Sequence, residues 1–405
     1  LKLINMNTKN SNNSRIFVDG VFDLMHAGHF NALRKAKQFG NELVVGINSD
    51  LDCFNLKGCY PIYNQDERGE LMKGCKWADE IVIGTPYIVE GSLLNQLNCE
   101  FVAHGDDLVL CSDGTDPYNE PRILGRLKIF QRTEGVSTTS VMTRIFRVLG
   151  LELEDILPLN KFDNSGMNGK ENFIASKIDK FLDGDYSPCQ SLISASRVLS
   201  FACGIASAKQ VYNSNPNVTY IDGSFDIFHI GHLRFLERVK KIFGGVLIIG
   251  IYDDSTAQLI YGDGFPILKM MERALTLLSM RVVDDVIFGA PIKITKKLIE
   301  TYKINNVVSC KIIENYVSSE HLKKNNFDSE NSAEYASKLE EFCYEIPKKM
   351  GIFCNTTILK KEEICTNRDI FSRIMNRRDS ILYVIKKRWA KELSFYENEV
   401  NTKLH

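Results

Sequence analysis

Long apolar runs are missing from these 405 residues: nowhere do about 20 apolar residues follow one another, the length a helix needs to cross a bilayer, so a helical membrane protein is excluded. Charge of one sign is missing too. Lys and Arg number 50 against 51 Asp and Glu, and the formal net charge of −1 gives no bulk attraction to nucleic acid or anionic lipid. None of the eleven cysteines forms a C-x-x-C pair, which removes the usual spacing of structural zinc. Their odd count, with no apolar leader before the first domain, points to reduced thiols in the cytoplasm rather than a disulfide framework. Histidine is scarce, seven in all, and four are spent on two short phrases, His26-Ala27-Gly28-His29 and His229-Ile230-Gly231-His232.

Each phrase closes a longer one, Ile16 to His26 and Thr219 to His229, at a constant offset of 203 residues. Pro61, Glu67, Arg68, Asp79, Gly84 and Pro86 recur as Pro266, Glu272, Arg273, Asp284, Gly289 and Pro291 at an offset of 205. Repetition over that length marks a duplicated domain. The chain divides into a first copy over residues 14–150, a linker over 151–215, and a second copy over 216–395. Within the linker, Phe173–Leu182 and Leu192–Phe201 carry modest helical signals, and Asn164–Asn172 is its most polar point. Asn5 to Ser14 and Lys323–Ser337 are polar and predict a tail and a surface loop.

Inside each copy short apolar runs alternate with helical periodicity. Ile16–Val18, Leu43–Ile47, Ile81–Ile83 and Phe101–Ala103 are too short for helices and show no polar alternation, as strands buried on both faces require. Phe30, Leu33, Ala36 and Phe39 follow helical spacing, and Asn64 with Glu67 forms a capped helix start. The fold class is α/β: two tandem doubly wound, Rossmann-like parallel-sheet domains.

In such sheets ligands bind beyond the carboxyl ends of strands, where helices begin and unpaired N–H groups favour an anion. The histidines stand there, three apart on a first turn, where each imidazole can donate to a phosphate oxygen; Gly28 between them leaves room for close approach. A capping or packing role is the plain alternative, weakened by the repetition. Zinc is a poor fit, since no carboxylate or cysteine accompanies the pair at ligand spacing.

At these residues the chain resembles the H-x-G-H nucleotidyltransferases. Arg132-Thr133-Glu134-Gly135-Val136-Ser137-Thr138-Thr139 resembles the R-T-x-G-[IV]-S-T signature of the cytidylyltransferases, which use CTP, and no K-M-S-K-S-like loop of a tRNA synthetase is found. The tandem arrangement, with Asp113 to Tyr118 and Gly125-Arg126, is similar to the ethanolamine-phosphate branch of that family.

The resemblance implies transfer of CMP from CTP to phosphoethanolamine, with phosphocholine or glycerol 3-phosphate as the competing acceptors and a non-catalytic nucleotide sensor as the competing class. It assigns catalysis to His26, His29, Lys57 and Arg132, and CTP binding to Val21, Phe22, Gly28, His104, Gly105, Asp106, Asp107, Gly135, Val136, Ser137, Thr138 and Thr139. Mg²⁺ is expected to come with CTP, held by phosphates and water rather than by protein ligands. Trp77 and Tyr118 are candidates either for cation–π contact with the ammonium or for core packing. Asp23 and Arg68 recur in both copies and fit a structural pair as well as a catalytic one.

The second copy keeps the histidines and little else. Tyr261 or Gly262 stands opposite Lys57, Ser309-Cys310 opposite His104-Gly105, and, aligning Arg144 with Arg373, Lys361, Ile364 and Thr366 replace Arg132, Gly135 and Ser137. The first copy is therefore expected to be catalytic, with His229 and His232 leaving at most a weak residual nucleotide site. The basic stretch Asn367–Glu397 predicts a helix that closes the second domain, peripheral membrane contact being the alternative.

Overall fold

The apolar runs become strands of two separate sheets. The structure, a computed structural model, describes residues 2–5, 14–106, 111, 114–133, 137–150, 217–310, 313–314, 329–354, 358–360 and 363–387; the expected linker helices lie outside the described residues. In the first copy β1 (Lys2–Asn5), β2 (Arg15–Gly20), β3 (Glu42–Asn48), β4 (Glu80–Thr85), β5 (Phe101–Gly105) and β6 (Leu127–Phe130) take the order β1-β4-β3-β2-β5-β6. All pairings are parallel except that of β1, an edge strand not foreseen from sequence, which runs against β4 with Lys2 opposite Ile83.

β2 is central: Ile16 pairs with Leu43 on one side and with Phe101 on the other. Its Ile16 and Phe17, with Leu43, Val44 and Val45 beside them, are wholly buried, which explains runs without polar alternation. From β2 the chain winds outward through β3 and β4, then returns across β2 to lay down β5 and β6. That reversal opens a crevice at the carboxyl ends of β2 and β5.

Helix α1 (Ala27–Ala36) covers the sheet with Ala27, Phe30, Leu33 and Ala36 buried, while Phe39 lies past its end and is exposed. Burying Phe30 and Leu33 contributes roughly 1.5–3 kcal/mol each, so Leu33→Ala is the single change that most directly loosens α1. Asn64 and Glu67 cap α3 (Gln65–Lys73) reciprocally, backbone N–H to side chain, at 3.0 and 2.9 Å.

The second copy repeats the plan with β7 (Val218–Gly223), β8 (Val246–Ile251), β9 (Asp285–Phe288) and β10 (Asn306–Ser309), all parallel in the order β10-β7-β8-β9. Where β6 would follow, only an isolated parallel bridge between Val307 and Phe353 is found among the described residues. The polar segment expected as a surface loop over Lys323–Ser337 is helix from Ser329 onward (Ser329–Lys349). Its Glu, Ala and Lys content favours helix, and polarity alone did not distinguish a solvated helix from a loop.

The described residues fall into two compact units, one drawn from Leu1–Lys73, Trp77–Phe173 and Phe371–His405, the other from Gly74–Lys76 and Ile174–Ile370. The basic C-terminal stretch thus divides at Phe371. In the first unit the Arg373 guanidinium meets both Glu67 carboxylate oxygens at 2.8 and 2.9 Å, a bidentate pair, and Arg377 donates to the Pro61 carbonyl. No helix among the described residues is long and apolar enough to cross a membrane.

Candidate active site

At the end of β2 the backbone enters the left-handed region twice, at Phe22 (φ 50) and Leu24 (φ 43), and the second copy repeats this at Phe225 (φ 52) and Ile227 (φ 46). For residues with a Cβ each such excursion costs about 1–2 kcal/mol, so the surroundings must enforce it. Asp23, between the two, accepts from the Ile62 and Tyr63 N–H groups at 2.8 and 3.0 Å. Arg68, fully buried on α3, donates to the carbonyls of Tyr63, Val21 and Asn48 and to Asp50. Asp226 and Arg273 make the same set of bonds in the second copy. Asp23 and Arg68 therefore hold the turn in shape, and their recurrence is structural.

The histidines follow this turn. His26 is the N-cap of α1: its Nδ1 accepts from the Gly28 N–H at 3.1 Å, and its own N–H approaches His29 Nδ1 at 3.4 Å. A ring nitrogen that accepts an N–H carries a lone pair, so both neutral imidazoles keep their proton on Nε2. Capping and ligand binding are thus compatible, one nitrogen serving each. The rings stack at 4.0 Å, and the buried Nε2 of His26 has no hydrogen-bond partner among the described residues. Burial holds the His26 pKa well below its ordinary value, with His29, Arg132 and Arg144 adding to the effect. Burial, then Arg132 and Lys57, bring His29 down to about 3.

Lys57 and Arg132, 75 positions apart in the sequence, therefore act on the same imidazole. Lys57 ends α2 (Asp50–Lys57), which Gly58 terminates with φ 82, and its ammonium lies over the Tyr87 ring at 5.6 Å from the centroid. Arg132 donates its backbone N–H to Asp106 at 2.8 Å, which ties the loop after β5 to the signature segment. On the other side Asn31, one turn into α1, donates to Thr133 at 2.8 Å. Ser137 caps α4 (Thr138–Val148) by accepting from the Ser140 N–H at 3.1 Å, and Thr139 holds Thr143 through its carbonyl. Asp107, Gly135 and Val136 lie outside the described residues.

The crevice has a second end. Asp19, buried at the end of β2, accepts from the Tyr118 hydroxyl at 2.9 Å and from Asn48 at 3.3 Å. His104, at the end of β5, lies against the Tyr118 ring with centroids 4.5 Å apart, and its Nδ1 is 2.9 Å from the Gly105 carbonyl. Burial pushes the Asp19 carboxyl up; His104, Asn48 and Tyr118 oppose the shift. Tyr118 belongs to the buried core around Phe17 and Val102, so its ring packs while its hydroxyl serves Asp19.

Sequence reasoning passed over three of these residues. Asn31 lies in the amphipathic pattern of α1, Arg144 served only to align the copies, and Asp19 was read as part of the repeated phrase. Arg144 stands seven positions after the cap of α4, two turns along the same face, and that spacing was the available signal.

In the second copy His229 and His232 are fully buried, their rings lie tilted with centroids 4.1 Å apart, and the cap is repeated, with Gly231 N–H donating to His229 Nδ1 at 3.1 Å. No lysine stands opposite Lys57; Lys361, opposite Arg132, lies outside the described residues, and Thr366 keeps a capping role through Asp369.

A parallel sheet with a histidine-capped helix at its switch point, present twice, defines a nucleotidyltransferase-type chain. A family profile described as Cytidylyltransferase-like matches residues 17–144 and again 220–347, and the chain belongs to that family. It is 33% identical over 392 residues to the ethanolamine-phosphate cytidylyltransferase of Dictyostelium discoideum, covering 96% of this chain and 98% of that one. It is 32% identical to the enzyme of the same name from Arabidopsis thaliana (95% and 86% covered) and 30% identical to that from Mus musculus (95% and 91%).

Proposed function

We propose that the chain transfers CMP from CTP to phosphoethanolamine, giving CDP-ethanolamine and pyrophosphate, in phospholipid synthesis in the cytoplasm. One observation carries the reading: among the described residues the buried Nε2–H of His26 has no partner, in a place that also feels Arg132 and Arg144. An uncompensated buried donor costs about 1–3 kcal/mol, and an anionic oxygen removes that cost.

In the reaction a phosphomonoester oxygen of the acceptor attacks the α-phosphorus of CTP. A new P–O bond forms as the bond from the α-phosphorus to the bridging oxygen breaks, and pyrophosphate leaves with that oxygen. No protein nucleophile is required, so the chain contributes alignment and charge. Val21 and Phe22 offer backbone N–H groups beside the phosphates, and Gly28 permits their close approach. His26 and His29 donate through Nε2 to the α-phosphate. Lys57 reaches the phosphates as a mobile point charge, and Arg132 grips two oxygens at once as charge builds on the leaving group. Ser137, Thr138 and Thr139, with Gly135 and Val136, form a second anion-accepting helix start. His104, Gly105, Asp106 and Asp107 are assigned to the cytosine side.

Among the described residues no three His, Cys, Asp or Glu side chains converge into a cation site. The cationic surroundings of His29 fit the triphosphate itself, and Mg²⁺ would come with CTP, held by phosphate oxygens and water, where it would neutralise part of the triphosphate charge.

The acceptor's ammonium fits the Asp19 end. A buried carboxylate whose pKa is raised by desolvation gains from a cation, and Tyr118, which donates its hydroxyl to it, lies beside it. The test is pyrophosphate release from CTP with phosphoethanolamine, phosphocholine and glycerol 3-phosphate in parallel, and with ATP as the control nucleotide. Phosphoethanolamine with CTP is expected to give the highest kcat/KM; a clear preference for another acceptor overturns the substrate, and no release with any overturns the reaction.

A further inference from the structure

The second copy differs from the first in more than missing residues, because the chain's own groups occupy the corresponding positions. Glu314, buried, accepts from the backbone N–H of Ser224 at 3.0 Å and from that of Phe225. These two groups correspond, at the offset of 203, to the N–H groups of Val21 and Phe22, which have no acceptor among the described residues. The Tyr261 hydroxyl, opposite Lys57 in sequence, donates to the same carboxylate, and His232 Nε2 lies 4.0 Å from it.

The first histidine of the second copy is used as well, while the buried Nε2 of His232 has no hydrogen-bond partner among the described residues. His229 Nε2 pairs with Asn367 Oδ1 at 2.7 Å, whereas His26 Nε2 is unpartnered among the described residues. A Cβ on Gly231 would fall 2.0 Å from the Cys365 carbonyl oxygen, so backbone already fills the space over that glycine. At the acceptor end the buried Asp222, counterpart of Asp19, takes hydroxyls from Tyr252 at 2.5 Å and Tyr344 at 2.7 Å. Tyr344 reaches it from the break in the helix Ser329–Lys349.

We propose that the second copy is an oxyanion cradle filled from within: Glu314 stands where phosphate oxygens bind in the first copy, so this copy holds a carboxylate of its own chain and takes no nucleotide. The proposal rests on the first copy being the CTP site. Loss of catalytic residues alone would leave an empty cradle able to bind a nucleotide weakly. Here the nest, one imidazole and the carboxylate pocket are each satisfied by a specific replacement, and the binding energy of the cradle goes into the fold.

The full chain titrated with CTP is expected to bind one equivalent, and the His26→Ala chain none. No CTP bound by the native chain overturns the functional reading, whereas two equivalents, or binding in His26→Ala that an added His229→Ala removes, overturns the filled cradle. Glu314→Ala removes one carboxylate and leaves its donors in place. Formate or acetate should then raise the Tm of Glu314→Ala saturably, with little effect on the native chain, and His232→Ala added to Glu314→Ala should weaken that rescue. Equal response of both proteins to the anion overturns the proposal, and if Glu314→Ala does not fold, the CTP stoichiometry still decides.

Discussion

The two copies share a turn, a helix cap and a sheet order, yet use the same atoms for opposite ends. In the first, the cap leaves His26 Nε2 unpartnered among the described residues beside cations; in the second, Asn367 and Glu314 answer the equivalent donors. The contrast separates what the phrase from strand to histidine does for folding from what it does for chemistry. Asp23 with Arg68, and Asp226 with Arg273, are the folding part, since their bonds are alike in both copies. On the proposed reading the Nε2 proton of His26 is the chemical part, since its surroundings differ from those of His229. The histidine repeat therefore marks the fold, and what separates the copies is the partner of the first histidine's Nε2, Asn367 for His229 and none among the described residues for His26.

The largest expected effect breaks the copies apart directly. His26→Ala should lower kcat by about 100-fold to 1,000-fold or more, the usual loss on removing a preorganised transition-state donor, while His229→Ala should retain a substantial fraction of the native kcat with unchanged KM for CTP. His229 is nevertheless buried, with a cap bond and a bond to Asn367, so this variant should lose Tm. Equal kcat losses per folded molecule would abolish the distinction between the copies. Next in size, Lys57→Tyr imports the residue of the second copy, and Arg132→Lys imports its lysine. A lost charge-assisted bond of about 1.5–3 kcal/mol corresponds to roughly 10-fold to 100-fold in kcat/KM for CTP, read by pyrophosphate release.

Much of this was legible in the sequence, for identifiable reasons. Strands buried on both faces announce themselves as unbroken apolar runs, and the reciprocal cap at Asn64 and Glu67 is written in two residues. Lys57 and Arg132 were found through motifs, which encode position relative to a ligand. Asn31, Asp19 and Glu314 were not. Each acts across the fold, Asn31 on Thr133 and Glu314 on Ser224 and Phe225, and nothing local betrays a partner about 90 or more positions away. β1 was missed because four residues carry too little periodicity, and the polar helix from Ser329 because its helical propensity was outweighed by its lack of apolar content.

A smaller effect sharpens the contrast at the acceptor end. Asp19→Asn keeps a hydrogen-bonding side chain but removes the charge offered to the ammonium. KM for phosphoethanolamine should rise about tenfold, the order of one lost charge-assisted contact, with KM for CTP little changed. An equal rise in both would place Asp19 in the nucleotide's support instead.

The smallest effect concerns the internal carboxylate and is read without substrate. Burial raises the Glu314 pKa from an ordinary 4.5 to about 7, against the opposing pull of Tyr261, the Phe225 and Ser224 N–H groups and Arg273. Between those values the folded chain holds a proton that the unfolded chain has released, so this group's contribution to stability falls as pH rises through that window, and the full cost is present above about 7. Glu314→Gln cannot ionise and escapes that loss. His232, Tyr261, Cys310 and Arg273, which face or act on the group, are present in both proteins. The Tm of Glu314→Gln relative to the native chain should therefore climb between pH about 4.5 and 7 and level off beyond. A constant difference across that range would mean that Glu314 titrates as an ordinary surface carboxylate, and a buried internal ligand cannot do so.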